Sequence, residues 1–267
     1  CFMLREKVKE ISEKYIFYNF ERKLTANNKH EVNYCIAHDF NGNETIFYNV
    51  DDFCKWAFNK MHRGYTFIAH YGKGYDFQFV AEWLIAHSVK PNIISKGKKI
   101  MQLEVKEDYN IRFIDSISFT LMPLRDFPKT FGLTELAKGH FPHKFNTDEN
   151  QNYIGPYPAD EFYGYNEMKS DDKRQFDEWY HTVRDKVFDF KTEMYAYCRS
   201  DVDILRRGCI AYRNLFLQIA QIDPFQYITL ASICSAIYRS ELLPENTIGI
   251  YNETTTDNYS VKAIKWL

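Results

Sequence analysis

The chain has 267 residues, 45% of them apolar, so it can bury a substantial core as one large domain or a domain with an appendage. A formal net charge of −2 excludes a surface that attracts nucleic acid as a whole, and any such contact has to be local. The six cysteines show neither a CxxC pair nor zinc-like spacing with His140 and His143, which argues against a zinc or cysteine enzyme and for reduced thiols inside a cell. No apolar run is long enough to span a bilayer, so no membrane partner is expected. Aromatic residues make up 17%, with 20 Tyr and 22 Phe, which fill a core or offer faces for stacked bases.

In chain order, residues 15–21, 32–38 and 44–50 are short, aromatic and β-branched, with turn residues such as Asn27, Asn28, Asn41 and Gly42 between them. They predict three consecutive strands. Residues 51–62 predict a helix capped by Asp51 or Asp52. A strand over 65–70, a glycine-rich turn and a helix from Asp76 to His87 follow. Further strands are expected at 91–95, 99–105 and 110–115, then mostly loop from Phe127 to about Asp172. Apolar residues recur at three- and four-residue steps from Met194 to Ile219, which predicts a long helix over 191–220. A helical segment near 228–242 and a polar tail, residues 245–267, complete the chain. The order suits an α/β, ribonuclease H-like mixed sheet with a C-terminal helical extension, and Asp223-Pro224 is the expected boundary between a domain over 1–223 and the segment 224–267.

Several acidic positions could meet in space. Asn19 and Glu21 are two apart on a strand and share one sheet face. Asp76 opens a helix after YGKGY, where glycines permit close backbone approach. Tyr197 and Asp201 are four apart on the long helix, and Asp201 lies beside its apolar stripe while Asp203 points away. An inward carboxylate needs a cation, either as a metal ligand or in a buried salt bridge, and both readings stand for Asp201. Glu21 as a solvated strand residue and Asp76 as a helix cap are the plain alternatives. The Lys96, Lys98 and Lys99 cluster beside Gly97 reads as a solvated turn or a phosphate grip.

Taken in order, an [D/N]xE on a first strand, a Gly-Tyr-Asp at a strand-to-helix turn and a YxxxD on a late helix resemble the three motifs of DEDDy 3′–5′ proofreading exonucleases. The blocks FIAHYGKGYDFQFVAEWL, FIDSISFTLMPLRDFPKTFGLTELAKGHFPHKFN, KVFDFKTEMYAYCRSDVDILRRGC and DPFQYITLASICSAIYRS resemble protein-primed family-B DNA polymerases, particularly those of Polinton/Maverick-type elements. The resemblance spans residues 15–267 and implies the exonuclease region of a DNA-directed DNA polymerase acting in replication. It implies Glu21, Asp76 and Asp201 as ligands of two Mg²⁺ or Mn²⁺ ions, and Tyr197 as the group that orients the attacking water. It also implies Ser116 and Tyr75 as contacts to a single-stranded DNA 3′ end, for which a strand-end cap and a core aromatic are the respective alternatives, and sets Tyr71 and Arg22 among the DNA-binding positions. Primer-template DNA and a polymerase palm beyond Asn258–Leu267 are the implied partners, in a nucleus, a mitochondrion or a viral replication compartment.

Three positions depart from that pattern. Asn19 stands where the first motif has Asp, Arg22 where it continues with Thr, and Tyr71 where the second motif has Asn. An amide cannot bridge two cations and donates where a metal needs an acceptor, so exonuclease activity is expected to be weakened or lost. In the alternative reading the chain is a non-catalytic nucleic-acid-binding or protein-interaction module, with Arg22 as an internal cation and Tyr71 blocking the cleft.

Overall fold

A computed structural model describes residues 2–7, 10–27, 29–133, 136 and 138–250. Strands β1 (Tyr15–Leu24), β2 (His30–Asp39), β3 (Glu44–Phe47), β4 (Thr66–Ala69), β5 (Asn92–Lys96), β6 (Lys99–Val105) and β7 (Ile111–Asp115) form one seven-stranded sheet. Its order is β3-β2-β1-β4-β7-β6-β5, with β1, β4 and β7 parallel and the remaining pairings antiparallel. This is the mixed sheet expected from the order of elements.

Alternation along β1 decides what each face carries. Ile16, Tyr18 and Phe20 join Phe53, Phe67, Phe77 and Phe113 in one apolar cluster beneath α1 (Val50–Ala57) and α2 (Asp76–Ala86). Tyr15 and Phe17 point the other way, into a second cluster with Val202 and Leu205. Those two residues belong to the long helix, Phe190–Ala220. The helical stretch expected over 51–62 is divided: α1 ends at Ala57 and a separate 3₁₀ turn covers Lys60–His62. Its cap is Asn49, whose side chain accepts from the Asp52 amide at 2.8 Å. Asp51 and Asp52 instead occupy the first turn, where negative charge complements the helix dipole.

Short helices α3 (Ile117–Thr120) and α4 (Phe127–Thr130) follow β7. The region read as loop also holds β8 (Ile154–Pro156) and the start of α5 (Ser170–Val183). Helix α5 buries only Phe176, so its sequence carries no apolar stripe by which to recognise it. Strand β9 (Val187–Asp189) pairs with β8, and Asp189 caps the long helix, α6 (Phe190–Ala220), by accepting from the Lys191 amide at 3.0 Å. A third small cluster of Phe141, Phe145, Phe188, Phe190, Met194 and Tyr197 packs this lobe on α6.

Helix α7 (Leu230–Ile237) is capped by Thr229 and continues as a π-helical turn, Tyr238–Leu242. Packing is continuous across the expected boundary at Asp223-Pro224: Phe225, Ile233 and Ala236 share the cluster of Tyr15 and Phe17. Asp223 itself is buried and accepts from the Tyr15 hydroxyl at 2.7 Å and from Arg213 Nε at 2.8 Å. The Asn258–Leu267 segment lies outside the described residues.

Candidate functional site

Asn19 and Glu21 continue the Tyr15–Phe17 row and therefore face α6. The Asn19 amide donates to Glu21 Oε1 at 2.7 Å, while Glu21 Oε2 lies 3.6 Å from His143 Nδ1. Burial, and then the charge of Asp201, push the Glu21 carboxyl up to about 8. The His143 side chain is itself more than half exposed, and the charges of Lys138 and Arg22 nearby disfavour its protonation.

Asp76 is placed by the turn after β4. Tyr71 takes a left-handed conformation at φ 67°, and its N–H donates to Asp115 Oδ1 at 2.9 Å. The Lys73 and Ile117 amides also donate to Asp115, so this fully buried carboxylate binds the turn to the end of β7. Gly72 is required there, because a Cβ would stand 2.7 Å from the Phe77 ring. Asp76 begins α2 beyond the turn. Burial and then the Asp115 charge raise it to about 7, against the opposing pull of Arg22.

A positive φ is poor for tyrosine and tolerable for asparagine. Tyr71→Asn should therefore stabilise the domain by ~0.5–1 kcal/mol in thermal or urea unfolding. A loss of stability would mean that packing of the Tyr71 ring on Gly74, 3.1 Å from the position of a Cβ there, outweighs the backbone term.

Tyr197 and Asp201 lie one above the other on α6, both buried. Burial, followed by the charges of Asp201 and Glu21, keeps the Tyr197 hydroxyl firmly protonated. Of the two readings open for Asp201, the buried salt bridge is present: Lys138 Nζ pairs with Asp201 Oδ2 and sits 4.9 Å from the Tyr197 ring centroid. Nothing in the sequence marks Lys138 for this role. It lies in an irregular loop segment, without periodicity or motif spacing.

Glu21, Asp76, Tyr197, Asp201, Asn19, Arg22, Tyr71, Tyr75 and Lys138 all line one cavity of about 600 Å³. It opens at the carboxyl-terminal side of the parallel strands β1 and β4, the usual ligand position in open α/β sheets. A second cavity of about 470 Å³, with Leu121, Met122 and Leu205 in its wall, shares Asn19, His70, Tyr71, Lys138 and Asp201 with the first. Arg22 makes no direct pair with Asp201; its guanidinium stacks over the Tyr75 ring at 3.3 Å from the centroid, and its charge favours the ionised forms of Asp76 and Glu21. Tyr75 is thus neither core nor free. Tyr71 is half exposed at the rim shared by both cavities.

Ser116 corrects the expectation of a direct DNA contact, because it is fully buried. Its hydroxyl donates to the Ala69 carbonyl at 3.0 Å, so its oxygen accepts from His70 Nδ1 at 2.8 Å. The His70 Nε2 is then left as an acceptor on a ring that lines both cavities. Lys96, Lys98 and Lys99 are exposed at the β5–β6 turn, away from either cavity.

Mg²⁺ or Mn²⁺ held by Glu21, Asp76 and Asp201 does not fit these residues as they stand. Glu21 Oε1 is taken by the Asn19 amide and Asp201 Oδ2 by Lys138. Among the described residues no group of three or more His, Cys, Asp or Glu is arranged to hold a metal ion. No helix among them is long and apolar enough to cross a membrane.

The family described as DNA polymerase type B, organellar and viral, matches residues 57–264. A probable DNA polymerase of Ascobolus immersus is 26% identical over 246 residues, covering 86% of this chain and 20% of that protein. One from Neurospora intermedia is 25% identical over 199 residues, covering 71% of this chain and 20% of its own length. The chain therefore spans about a fifth of these relatives. Among solved structures, Phi29 DNA polymerase complexed with single-stranded DNA superimposes with a TM-score of 0.54 at 17% identity, over 83% of this chain and 34% of that one. The same polymerase with primer-template DNA and incoming nucleotides gives 0.53 at 16% identity, over 84% and 33%. These structures share the fold. With the family matched over most of its length, the chain belongs to the organellar and viral type B DNA polymerases.

Proposed function

We propose that this chain is the 3′–5′ exonuclease region of a family-B replicative polymerase, which accepts the single-stranded 3′ end of DNA in the 600 Å³ cavity and hydrolyses it weakly or not at all. The observation that carries this reading is the meeting of Glu21, Asp76, Tyr197 and Asp201, far apart in the chain, on one cavity. Solved polymerases of the same fold carry single-stranded and primer-template DNA, which supports both as partners here. The palm that would add nucleotides is proposed to belong to other parts of a longer polymerase, as in relatives about five times the matched length.

The second reading, a binding module without catalysis, draws on the Asn19–Glu21 and Lys138–Asp201 contacts, which engage oxygens that a cation pair would need. Fluorescence anisotropy with 5′-labelled oligonucleotides tests what the two readings share. A single strand with a free 3′ end should bind at least ~10-fold more tightly than a blunt duplex of the same length, since base stacking contributes about 1–3 kcal/mol per base. Equal affinity for both, or none for the single strand, would remove the proposal. Release of nucleoside monophosphates from 3′-labelled DNA then separates weak hydrolysis from none.

A further inference from the structure

A phosphodiester entering this cavity meets Asp201, already paired with Lys138, and the buried Glu21 and Asp76, so it needs compensating positive charge wherever those two are ionised. Divalent cations usually supply that charge, but Glu21 and Asp201 are already engaged by groups of this chain. Two fixed cations stand in the same cavity instead, Lys138 against Asp201 and Arg22 over Tyr75.

Arg22 differs from the other buried or half-buried arginines in how it is held. Arg213 pairs with Asp223 and Arg206 with Asp203, each through a carboxylate, while Arg112 donates to the Thr66 hydroxyl and the Phe225 carbonyl. Arg22 forms no ion pair among the described residues; it is fixed by stacking on Tyr75, and its buried Nη1 has no hydrogen-bond partner. An unpartnered buried donor on a guanidinium is costly unless an acceptor arrives. A planar fork, oriented by a ring in the cavity wall, matches the oxygens of a phosphate.

Resting on the reading of the cavity as a 3′-end site, we propose that Arg22, with Lys138 neutralising Asp201 in the same cavity, forms a fixed cationic clamp for a phosphate of the terminal nucleotides, so that this chain holds single-stranded DNA without divalent metal. Arg22 is a binding residue in this scheme, and Lys138 keeps Asp201 neutralised so that the phosphate can enter. Tyr75 holds the guanidinium in place by its face.

The experiment is anisotropy of 5′-labelled oligo-dT with a free 3′ end, in EDTA and again in Mg²⁺ or Mn²⁺. The wild type should bind with the same affinity, within twofold, in all three. Arg22→Thr should weaken binding about tenfold in EDTA and reduce the salt slope of log K by about 0.7, the value for one phosphate of a single strand that is no longer neutralised. Arg22→Lys, which keeps the charge but not the planar fork, should fall between the two. Arg22 is partly exposed and unpaired by any acid, so both variants should fold, as circular dichroism would verify. Wild-type binding that EDTA abolishes, or Arg22→Thr binding as tightly as wild type, would overturn the clamp while leaving the 3′-end site standing. A wild type that binds no single strand under any condition would sink both.

Discussion

Asn19→Asp is expected to make the stability of this domain depend on divalent cation and to raise release of nucleoside monophosphates from 3′-labelled single strands by about 10³-fold in Mn²⁺. Position 19 faces Glu21 at hydrogen-bond distance, 2.7 Å from the amide nitrogen to Oε1. Replacing the donor by a carboxylate turns this bond into a like-charge contact as soon as Glu21, whose proton is held up to about 8, ionises.

The sign of the pH dependence follows from these raised carboxyls. Glu21 at about 8 and Asp76 at about 7 bind protons more tightly folded than unfolded. In EDTA the stability they contribute is therefore complete below about pH 4, and it declines as pH rises from about 4 to 8. Asn19→Asp should steepen that decline and lower the melting temperature at pH 8. Adding Mn²⁺ should restore it, because a ligand bound only by the folded state stabilises by mass action. Wild type should respond little to Mn²⁺. Thermal melts at pH 5 and pH 8, with and without Mn²⁺, read the effect directly. A variant that gains neither Mn²⁺-dependent stability nor product would mean that Lys138, not Asn19, bars the cation.

Asp223→Ala should destabilise the domain by about 3–5 kcal/mol, the cost of breaking a buried ion pair from one side. Asp223 accepts from Tyr15 Oη at 2.7 Å, Arg213 Nε at 2.8 Å and the Phe225 amide at 3.1 Å. Its loss leaves the guanidinium of Arg213, only 3% exposed, without its anion. Arg213 also donates to the Ser12 carbonyl and packs 5.3 Å from the Tyr15 and Phe40 ring centroids, so it cannot swing freely to water. Asp223→Ala combined with Arg213→Met should recover much of the loss, because a buried pair is often no better than well-packed apolar residues. Urea unfolding at pH 7 gives both numbers. Since this junction joins β1, α6 and the segment before α7, the melt of Asp223→Ala should remain a single transition; two transitions, or a loss below about 1 kcal/mol, would show that the segment after Pro224 folds apart.

Much of the frame is legible without coordinates. The alternation in residues 15–21 and the three- and four-residue spacing from Met194 to Ile219 are local, and each reports which side of an element is dry. Those two patterns alone place Asn19 and Glu21 on one sheet face and Tyr197 with Asp201 on one helix face. Helix α5 is not legible, because a helix that buries one residue has no stripe. The Asn49 cap is hidden in the same way, since Asp51 and Asp52 are equally good caps by type.

The sequence by itself determined the order of the seven sheet strands and of helices α1, α2, α6 and α7, the family, and which acidic residues were available to meet. Tertiary structure alone decided what neutralises them. Lys138 is 63 residues from Asp201 in the chain, and Arg22 is 53 positions before the ring it stacks on. Periodicity records burial, which each segment carries within itself. Charge pairing acts through space between segments, and no spacing along the chain encodes which cation reaches which carboxylate.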